Sequence, residues 1–133
     1  MSAEWELPIA GNADVVMVRQ RVRSLAVEVG LSLIDQTKVV TAASELARNA
    51  LVYAGGGLAK IELVQNGARQ GLRIAFSDDG PGIPDIEQAL TDGWTTGTGL
   101  GLGLSGSRRL VDEFELVSAP GKGTTVTVTK WAR

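Results

Sequence analysis

The sequence predicts an α+β fold, a two-layer sandwich in which helices pack on one face of a sheet. Two observations predict it. Apolar residues recur at helical spacing through two long segments in the first half of the chain, and two pairs of short segments with strand-like alternation follow around polar or glycine-rich turns. Helices and hairpins in this order bury their apolar faces by forming two layers around one core. The chain has 133 residues without a linker, repeat or biased segment, so we expect residues 1–133 to be a single domain.

The first half of the chain is predicted to hold one strand and two helices. "EWELPIAG" alternates apolar and polar residues and is typical of an edge strand, where its proline is tolerated. An apolar stripe then predicts a first helix, with Asn12 or Asp14 as its cap and Gly30 at its end. A second stripe predicts a helix from about Asp35 to "AGGG" at residues 54–57.

The second half is predicted to hold two hairpins and a late helix. Strands near residues 59–64 and 72–77 are joined by the polar turn "QNGARQG". A short helix near residues 86–90 precedes a glycine-rich run, and a further helix spans about residues 104–112. The chain finishes as "FELVSA", a "PGKG" turn and "TTVTVTKW", a second hairpin rich in β-branched residues.

The composition excludes several kinds of chemistry. Thirteen basic and fifteen acidic residues give a formal charge of −2, which argues against nonspecific nucleic-acid binding, so we expect no nucleic-acid partner. The chain has no Cys and no His, which removes disulfides, ordinary zinc sites, thiol nucleophiles and Ser-His-Asp triads. No apolar run approaches the roughly 18 residues of a membrane span, and no signal-peptide pattern opens the chain. We therefore expect a cytoplasmic protein with no membrane partner.

A glycine-rich run precedes the late helix. Five of the ten residues 97–106 are glycine, and such density indicates a close approach of the backbone to something. "GLGLSG" at residues 101–106 matches G-x-G-x-x-G but follows a polar loop instead of a buried strand, and "GKGT" at residues 121–124 lacks the P-loop spacing. Serial glycines that lead into a helix still expose backbone N–H groups to an anion such as a triphosphate. A mobile linker is the alternative, although three leucines alternate with the glycines, which a linker does not need.

A carboxylate ends the third predicted strand, in "GLRIAFSDDGPG". Period two places Asp78 on the same inward face as the apolar residues of the strand and turns Asp79 outward. A carboxylate at the end of a buried face needs a hydrogen-bond donor, for example an adenine amine, and the loop at residues 80–82 lets the chain turn closely around one. A plain turn-stabilising aspartate is the alternative.

A polar pair lies within the second predicted helix, in "SELARNALVYAGGG". Glu45 and Asn49 are four residues apart and so share a helical face beside the apolar stripe. Asn49 offers an amide oxygen suited to Mg²⁺, and Glu45 could orient or deprotonate an attacking hydroxyl. An ordinary solvated helix face is the alternative.

Together and in this order, "ELARN", "DDGPG", "GTGLGLGL" and "GKGTT" resemble the four boxes of the GHKL ATP-binding superfamily, which includes histidine kinases, gyrase-type ATPases, Hsp90, mismatch-repair clamps and bacterial anti-sigma kinases. Further stretches, from "EW" near the start to "RRLVDEF" and the closing "KW", extend the likeness over nearly the whole chain. They resemble the RsbT group, the serine/threonine switch kinases of bacterial stressosomes. The resemblance implies a Bergerat-type fold, with a mixed sheet, three main helices on one face, and ATP beneath a short lid at residues 85–98.

The resemblance also implies a role for each box. Glu45 would be the catalytic carboxylate and Asn49 the ligand of Mg²⁺, while Asp78 would accept a hydrogen bond from adenine N6. The remaining implied nucleotide-binding residues, which form the close turn, the phosphate contacts and the support of the adenine contact, are Gly80, Gly82, Gly97, Gly99, Gly101, Gly103, Leu104 and Thr124.

The implied activity is transfer of the ATP γ-phosphoryl group to Ser or Thr of STAS-domain partners, followed by release of the kinase to activate a phosphatase of the PP2C type. Four arginines are candidates for γ-phosphate or partner contacts, although helical arginines often only cover a solvated surface: Arg19, Arg23, Arg108 and Arg109. The main alternative is an anti-sigma factor that sequesters a sigma factor. A detached gyrase-type ATPase and a histidine-kinase core are disfavoured, because the chain lacks their added domain and their phosphoacceptor histidine.

Overall fold

The computed structural model describes residues 3–83, 90 and 103–133. The implied lid and the short helix predicted near residues 86–90 lie outside the described residues, apart from residue 90. The elements of the described part, in chain order, are β1 (Glu4–Ile9), α1 (Asn12–Glu28), α2 (Leu33–Ala54), β2 (Gly57–Asn66), β3 (Arg69–Asp78), α3 (Gly103–Arg109), β4 (Glu113–Ser118) and β5 (Thr124–Trp131).

Helix α1 forms where the apolar stripe predicts it and ends before Gly30, which has a left-handed φ of 86°. The prediction that Asn12 or Asp14 caps the helix is wrong, because the cap is Gly11 and no side chain bonds to the first turn. Asp14 instead accepts a hydrogen bond from the Ala10 amide at 2.8 Å, since it lies inside the first turn and its carboxylate reaches back to the entering chain. That bond fixes the junction between β1 and α1.

Helix α2 begins slightly earlier than predicted, at Leu33. Ser32 precedes it, and its Oγ accepts a hydrogen bond from the Asp35 amide at 3.1 Å, which caps the helix. The helix ends at Ala54, and Gly55 follows in the left-handed conformation with φ 76°, as the glycine stop predicts. The short connection between α1 and α2 makes them an antiparallel pair, and they pack on each other.

The five strands form one sheet in the order β1-β2-β3-β5-β4. The prediction of β1 as an edge strand is confirmed, because β1 pairs only with β2 in the described sheet. The implied mixed sheet is a correction, since every pairing among the described strands is antiparallel. The physical reason lies in the connections: one helix between neighbouring strands makes them parallel, whereas α1 and α2 together return the chain to the end at which β1 finished.

The core lies between the helices and one face of the sheet, and so confirms the predicted two-layer α+β sandwich. Alternate residues of the strands are buried against the helices, while the opposite face carries polar residues such as Lys60, Glu62 and Arg73. The largest side chains that are fully buried in this core are Ile9, Val18, Val22, Val39, Leu46, Ile61, Leu72, Ile74 and Val128.

Helix α3 packs against α2 but stops at Arg109, before the predicted end near residue 112. The Leu110 amide bonds to the Ser107 carbonyl at 3.1 Å, and the Asp112 amide bonds to the Thr129 carbonyl at 2.9 Å. These bonds turn the chain into β4, because the register with β5 begins at Glu113.

One cation lies on the buried face of the sheet. Lys130 is only 5% exposed, and its Nζ lies 3.5 Å from Asp35 Oδ1 and 3.5 Å from Asp112 Oδ1. Asp112 also accepts hydrogen bonds from the Trp131 amide at 2.8 Å and from Arg133 Nη2 at 2.6 Å. Partial burial by itself raises the pKa of Asp112, but the Trp131 amide, the charges of Lys130 and Arg133 and the Lys130 hydrogen bond together lower that pKa below its ordinary value of 3.8.

Replacing Asp112 by Asn is expected to make the free energy of unfolding less dependent on pH in the acid range. A lowered pKa in the folded state means that ionised Asp112 stabilises the fold above its ordinary value of 3.8 and that this stabilisation is lost as the pH falls through the folded value. The difference in unfolding free energy between wild type and Asp112→Asn should therefore be full at neutral pH and shrink as the pH falls below this ordinary value. Urea unfolding across this range measures it.

Glu115→Gln, which removes an exposed carboxylate on β4, is the control for a general loss of negative charge. A difference between wild type and Asp112→Asn that stays constant down to acid pH would contradict the assignment.

Candidate functional site

The site begins at the end of β3, where the structure places Asp78 as predicted. Leu72, Ile74 and Phe76 are buried against the helices, and Asp78 follows them half-buried while Asp79 is exposed. The side chain of Asp78 also faces its own loop, since Oδ1 accepts a hydrogen bond from the Gly80 amide at 2.9 Å. The carboxylate is thereby fixed in direction at the edge of the core.

The loop after Asp78 fits closely against the end of α2. A Cβ atom at Gly80 would lie 2.5 Å from the Cβ of Ala54, and one at Gly82, whose φ is +78°, would overlap the carbonyl of Ala119. Both glycines are therefore required by the packing of the backbone. The predicted close turn at these two residues is consistent with this geometry.

The β4–β5 turn holds the same loop from the other side. The Gly121 amide donates to the Pro81 carbonyl at 2.7 Å, and the Ile83 amide donates to Ser118 Oγ at 2.8 Å. Ser118 Oγ also lies 2.8 Å from Thr124 Oγ1, and Thr124 is directly opposite Asp78 in the register of β3 and β5. The structure thus brings Asp78 and Thr124 together.

Sequence reasoning missed Ser118. Its Oγ accepts from the Ile83 amide, donates to the Gly123 carbonyl at 3.0 Å and contacts Thr124, so one hydroxyl joins the loop to the turn. The available signal was its position as a small polar residue directly before "APGKGT", where the register of the hairpin places it opposite Thr124.

Glu45 and Asn49 lie on α2, nine and five residues before Ala54, the residue that contacts the loop. The Glu45 side chain is only 13% exposed and its Oε1 lies 3.6 Å from Nη1 of Arg48, while Asn49 is half-buried. This burial disfavours the alternative of a solvated helix face for Glu45. At 1.5 Å per residue, Asn49 lies about 7 Å and Glu45 about 14 Å along the axis from Ala54. The length of α2 therefore sets the distance between the polar pair and the Asp78 end of the site.

Helix α3 supplies the described end of the glycine-rich run. Gly103 is its first residue and Leu104, half-buried, packs against the core. The predicted nucleotide-binding residues Gly97, Gly99 and Gly101 lie outside the described residues.

The four candidate arginines differ in their surroundings. Arg23, Arg108 and Arg109 are exposed, and the last two occupy the final turn of α3. Arg19 on α1 is half-buried, and its Nε is a buried atom without a hydrogen-bond partner in the described part of the chain.

The fit of a divalent cation follows from the donor set. Within residues 3–83, 90 and 103–133, no group of three or more acidic or other metal-binding side chains could form a complete protein site. A cation such as Mg²⁺, which keeps waters and phosphate oxygens in its shell, needs only one or two protein oxygens, and Asn49 can supply one. In the same described part, no helix has the length and apolar character needed to cross a membrane.

Comparison with known proteins gives a consistent set of matches. Residues 34–133 match the family described as histidine kinase-, DNA gyrase B- and HSP90-like ATPase. The chain is 48% identical over 120 residues to the serine/threonine-protein kinase RsbT of Bacillus subtilis, with 90% of each chain covered. It is 30% identical over 119 residues to an anti-sigma F factor of a Thermoanaerobacter species, which covers 85% of this chain and 82% of the relative.

Solved structures show the same fold. The RsbU and RsbW domains of Rv1364c from Mycobacterium tuberculosis match with a TM-score of 0.67 at 22% identity, over 100% of this chain and 33% of that one. The mycobacterial sensor histidine kinase MprB matches with a TM-score of 0.56 at 19% identity, over 98% and 99% of the two chains.

Asp78→Asn is expected to weaken adenine-nucleotide binding about tenfold or more, because it replaces a charged acceptor by a neutral amide. The fold should persist, since the amide oxygen can still accept from the Gly80 amide. Isothermal calorimetry with ADP measures the affinity, and Asp79→Asn is the matched control because its side chain is exposed. Equal affinities in the two variants would remove Asp78 from the site.

Gly121→Ala and Gly123→Ala form a second matched pair in the β4–β5 turn. Both glycines have a left-handed φ, 73° and 76°, but only at Gly123 would a Cβ overlap the Asp78 carbonyl, with Asp79 Cα at 3.1 Å. We expect Gly121→Ala to cost about 1 kcal/mol of unfolding free energy and Gly123→Ala about 1–3 kcal/mol more. Urea unfolding compares them, and equal losses would refute the close contact.

Proposed function

Because the chain belongs to the histidine kinase-, DNA gyrase B- and HSP90-like ATPase family, we propose that it is an ATP-dependent serine/threonine protein kinase of a partner-switching pathway. The observation that carries this proposal is the placement of two chemical functions along α2. Asp78 meets the end of this helix through the loop that contacts Ala54, and Glu45 lies about 14 Å back along the helix axis. That span suits a nucleotide with its base at one end and its phosphates at the other.

Base recognition is assigned to the end of β3. The Asp78 carboxylate would accept a hydrogen bond from the adenine amine, and Thr124 opposite it would support that contact. Gly80 and Gly82 would keep the loop close enough for the base to reach the carboxylate. Towards the phosphates, Gly103 and Leu104 at the start of α3 would continue the contacts expected of Gly97, Gly99 and Gly101.

Phosphoryl transfer is assigned to α2. Asn49 would hold Mg²⁺, which when bound neutralises charge on the phosphate oxygens. Glu45 would orient the Ser or Thr hydroxyl of the substrate and accept its proton. Phosphoryl transfer depends on positioning and charge neutralisation, so the absence of His and Cys from the chain is no obstacle.

The proposed substrates are proteins of the STAS class, with a phosphatase of the PP2C type as the downstream effector. Exposed apolar side chains at the start of α1 and the end of α2 support a protein partner, because such patches mark interaction surfaces: Val16, Met17, Val52 and Tyr53. The short connection between the antiparallel helices brings these two helix ends to the same end of the molecule as the Asp78 loop. The 48% identity to a serine/threonine kinase over 90% of both chains supports the kinase proposal further.

A second candidate function is that of an anti-sigma factor. The 30% identity to an anti-sigma F factor over 85% of this chain favours it. Stable capture of a purified sigma factor, with no phosphorylation of any STAS protein, would decide for this alternative.

The kinase proposal predicts that radiolabel from γ-labelled ATP appears on Ser or Thr of a STAS partner. Glu45→Gln should lower the rate about a hundredfold or more, because the general base is lost, while ADP affinity stays close to wild type. Phosphoamino-acid analysis and calorimetry provide the two measurements.

Glu62→Gln is the control variant, since Glu62 lies on the opposite face of the sheet. Label on neither Ser nor Thr, with ADP bound by the same preparation, would reject the kinase function while leaving the nucleotide site intact.

A further inference from the structure

Three residues far apart in the chain meet around one buried ammonium group. Lys130 lies near the end of β5 on the face that the helices cover, and its Nζ is 3.5 Å from one carboxylate oxygen each of Asp35 and Asp112. Asp35 belongs to the first turn of α2, and Asp112 lies between α3 and β4. We name this set, Asp35, Lys130 and Asp112, the Lys130 strut.

The strut is anchored firmly to the sheet at Asp112. The Asp112 side chain accepts from the Trp131 amide at 2.8 Å and from Arg133 Nη2 at 2.6 Å, and its own amide donates to the Thr129 carbonyl at 2.9 Å. Asp112, three residues after the end of α3, is therefore fixed to β5 through both main chain and side chain. Through Lys130, the same point is fixed to the start of α2.

The strut lies at the opposite end of the molecule from Asp78. Lys130 is six residues beyond Thr124 on β5, a distance of about 20 Å along the strand. Helix α2 starts at the strut and ends at Ala54, which contacts the Asp78 loop. Helix α3 ends close to the strut, so its first residues, Gly103 and Leu104, extend back along α2. The strut therefore lies at the start of α2 and close to the end of α3, and it restricts both helices there.

Stability alone does not account for a buried ion pair. Removing three charged groups from water costs free energy that their mutual attraction largely offsets, and apolar residues of similar volume often serve a core equally well. What charges add is a definite geometry, since an ammonium group between two carboxylates allows little sliding of the helices that carry them.

We propose that the Lys130 strut is a positioning device, which sets the start of α3 against the Glu45 and Asn49 side of α2 and so supports binding of the nucleotide phosphates. This inference rests on the proposed function. None of the three residues contacts the substrate; each acts through the helix that it holds. The base contacts at the end of β3 are independent of the strut.

The test compares ADP with adenosine in wild type, Lys130→Met and Asp35→Asn. Displacement of α3 should weaken ADP binding about tenfold, because the groups at the start of the helix would no longer be aligned with the phosphates. Adenosine affinity, measured by ligand-observed NMR, should stay as in wild type. Lys130→Arg, which keeps the charge, should restore much of the ADP affinity.

A second measurement needs no nucleotide. Amide hydrogen exchange in α3 should be faster in Lys130→Met and Asp35→Asn, while exchange in the β2–β3 hairpin stays slow. Asp35→Asn keeps the pair between Lys130 and Asp112 and is the milder variant, so it decides the outcome if Lys130→Met does not fold.

Arg73→Gln is the matched control. Arg73 joins strands on the opposite face of the same sheet, with Glu62 at 3.9 Å, Glu113 at 4.0 Å and Thr129 Oγ1 at 3.1 Å. Its loss should leave the ratio of ADP to adenosine affinity unchanged.

The outcomes separate the two proposals. Unchanged exchange in α3, or equal losses of ADP and adenosine affinity in folded variants, would overturn the positioning role. Faster exchange in α3 together with a wild type that binds neither ligand would uphold the positioning of α3 by the strut and overturn the proposed nucleotide site.

Discussion

The burial of α2 against the sheet is the constraint on which the rest of the molecule depends. Val39, Leu46 and their neighbours seal one side of this helix into the core, so neither its rotation nor its position along the sheet is free. Glu45 and Asn49 border that sealed side, so the packing of the helix sets the direction in which they project. At the far end, the absence of a side chain at Gly80 lets the loop touch Ala54. The packing of the core therefore also determines the geometry of the candidate site.

The site combines a rigid end with an end built from separate elements. The Asp78 loop is held by α2, by β5 and, through Ser118, by the turn before β5, so its geometry has several independent supports. The start of α3 instead depends on its packing on α2 and on the anchoring of its other end. A base that is recognised at the rigid end and phosphates that are recognised across two helices would give an enzyme whose binding of the two parts can be changed separately. That division underlies the comparison of ADP with adenosine.

Much of this fold could be predicted from the sequence because its signals are local. Apolar periodicity gave both long helices, alternation gave the strands, and the left-handed glycine after Ala54 gave the end of α2. The position of Asp78 followed from period two, and the two-layer arrangement followed from the helical and strand patterns together. The cap of α1 was predicted wrongly because two polar residues near a helix start compete for the role, and Asp14 bonds instead to the strand before it.

The rest could not be predicted because it depends on residues distant in sequence. No neighbouring residue in the sequence indicates that Lys130 is paired, because Asp35 and Asp112 lie in distant segments of the chain. Alternation places Lys130 on the covered face only if the register of β5 is correct, since a shift by one residue would turn it to the other face. The role of Ser118 could not be predicted for the same reason, because its hydroxyl accepts a hydrogen bond from the Ile83 amide, which is distant in the sequence. The mixed sheet was expected from the resemblance and not from the pattern, and counting the helices between β1 and β2 would have corrected it.

The overall fold alone does not distinguish a kinase from an anti-sigma factor. The chain resembles relatives of both kinds over most of its length, so the fold itself gives no preference. Glu45, however, is held largely out of solvent on a helix whose position is fixed at both ends. A domain that only sequesters a partner has little use for a carboxylate kept at a defined distance from the proposed base contact, whereas phosphoryl transfer depends on such alignment. The geometry of α2 therefore favours the kinase.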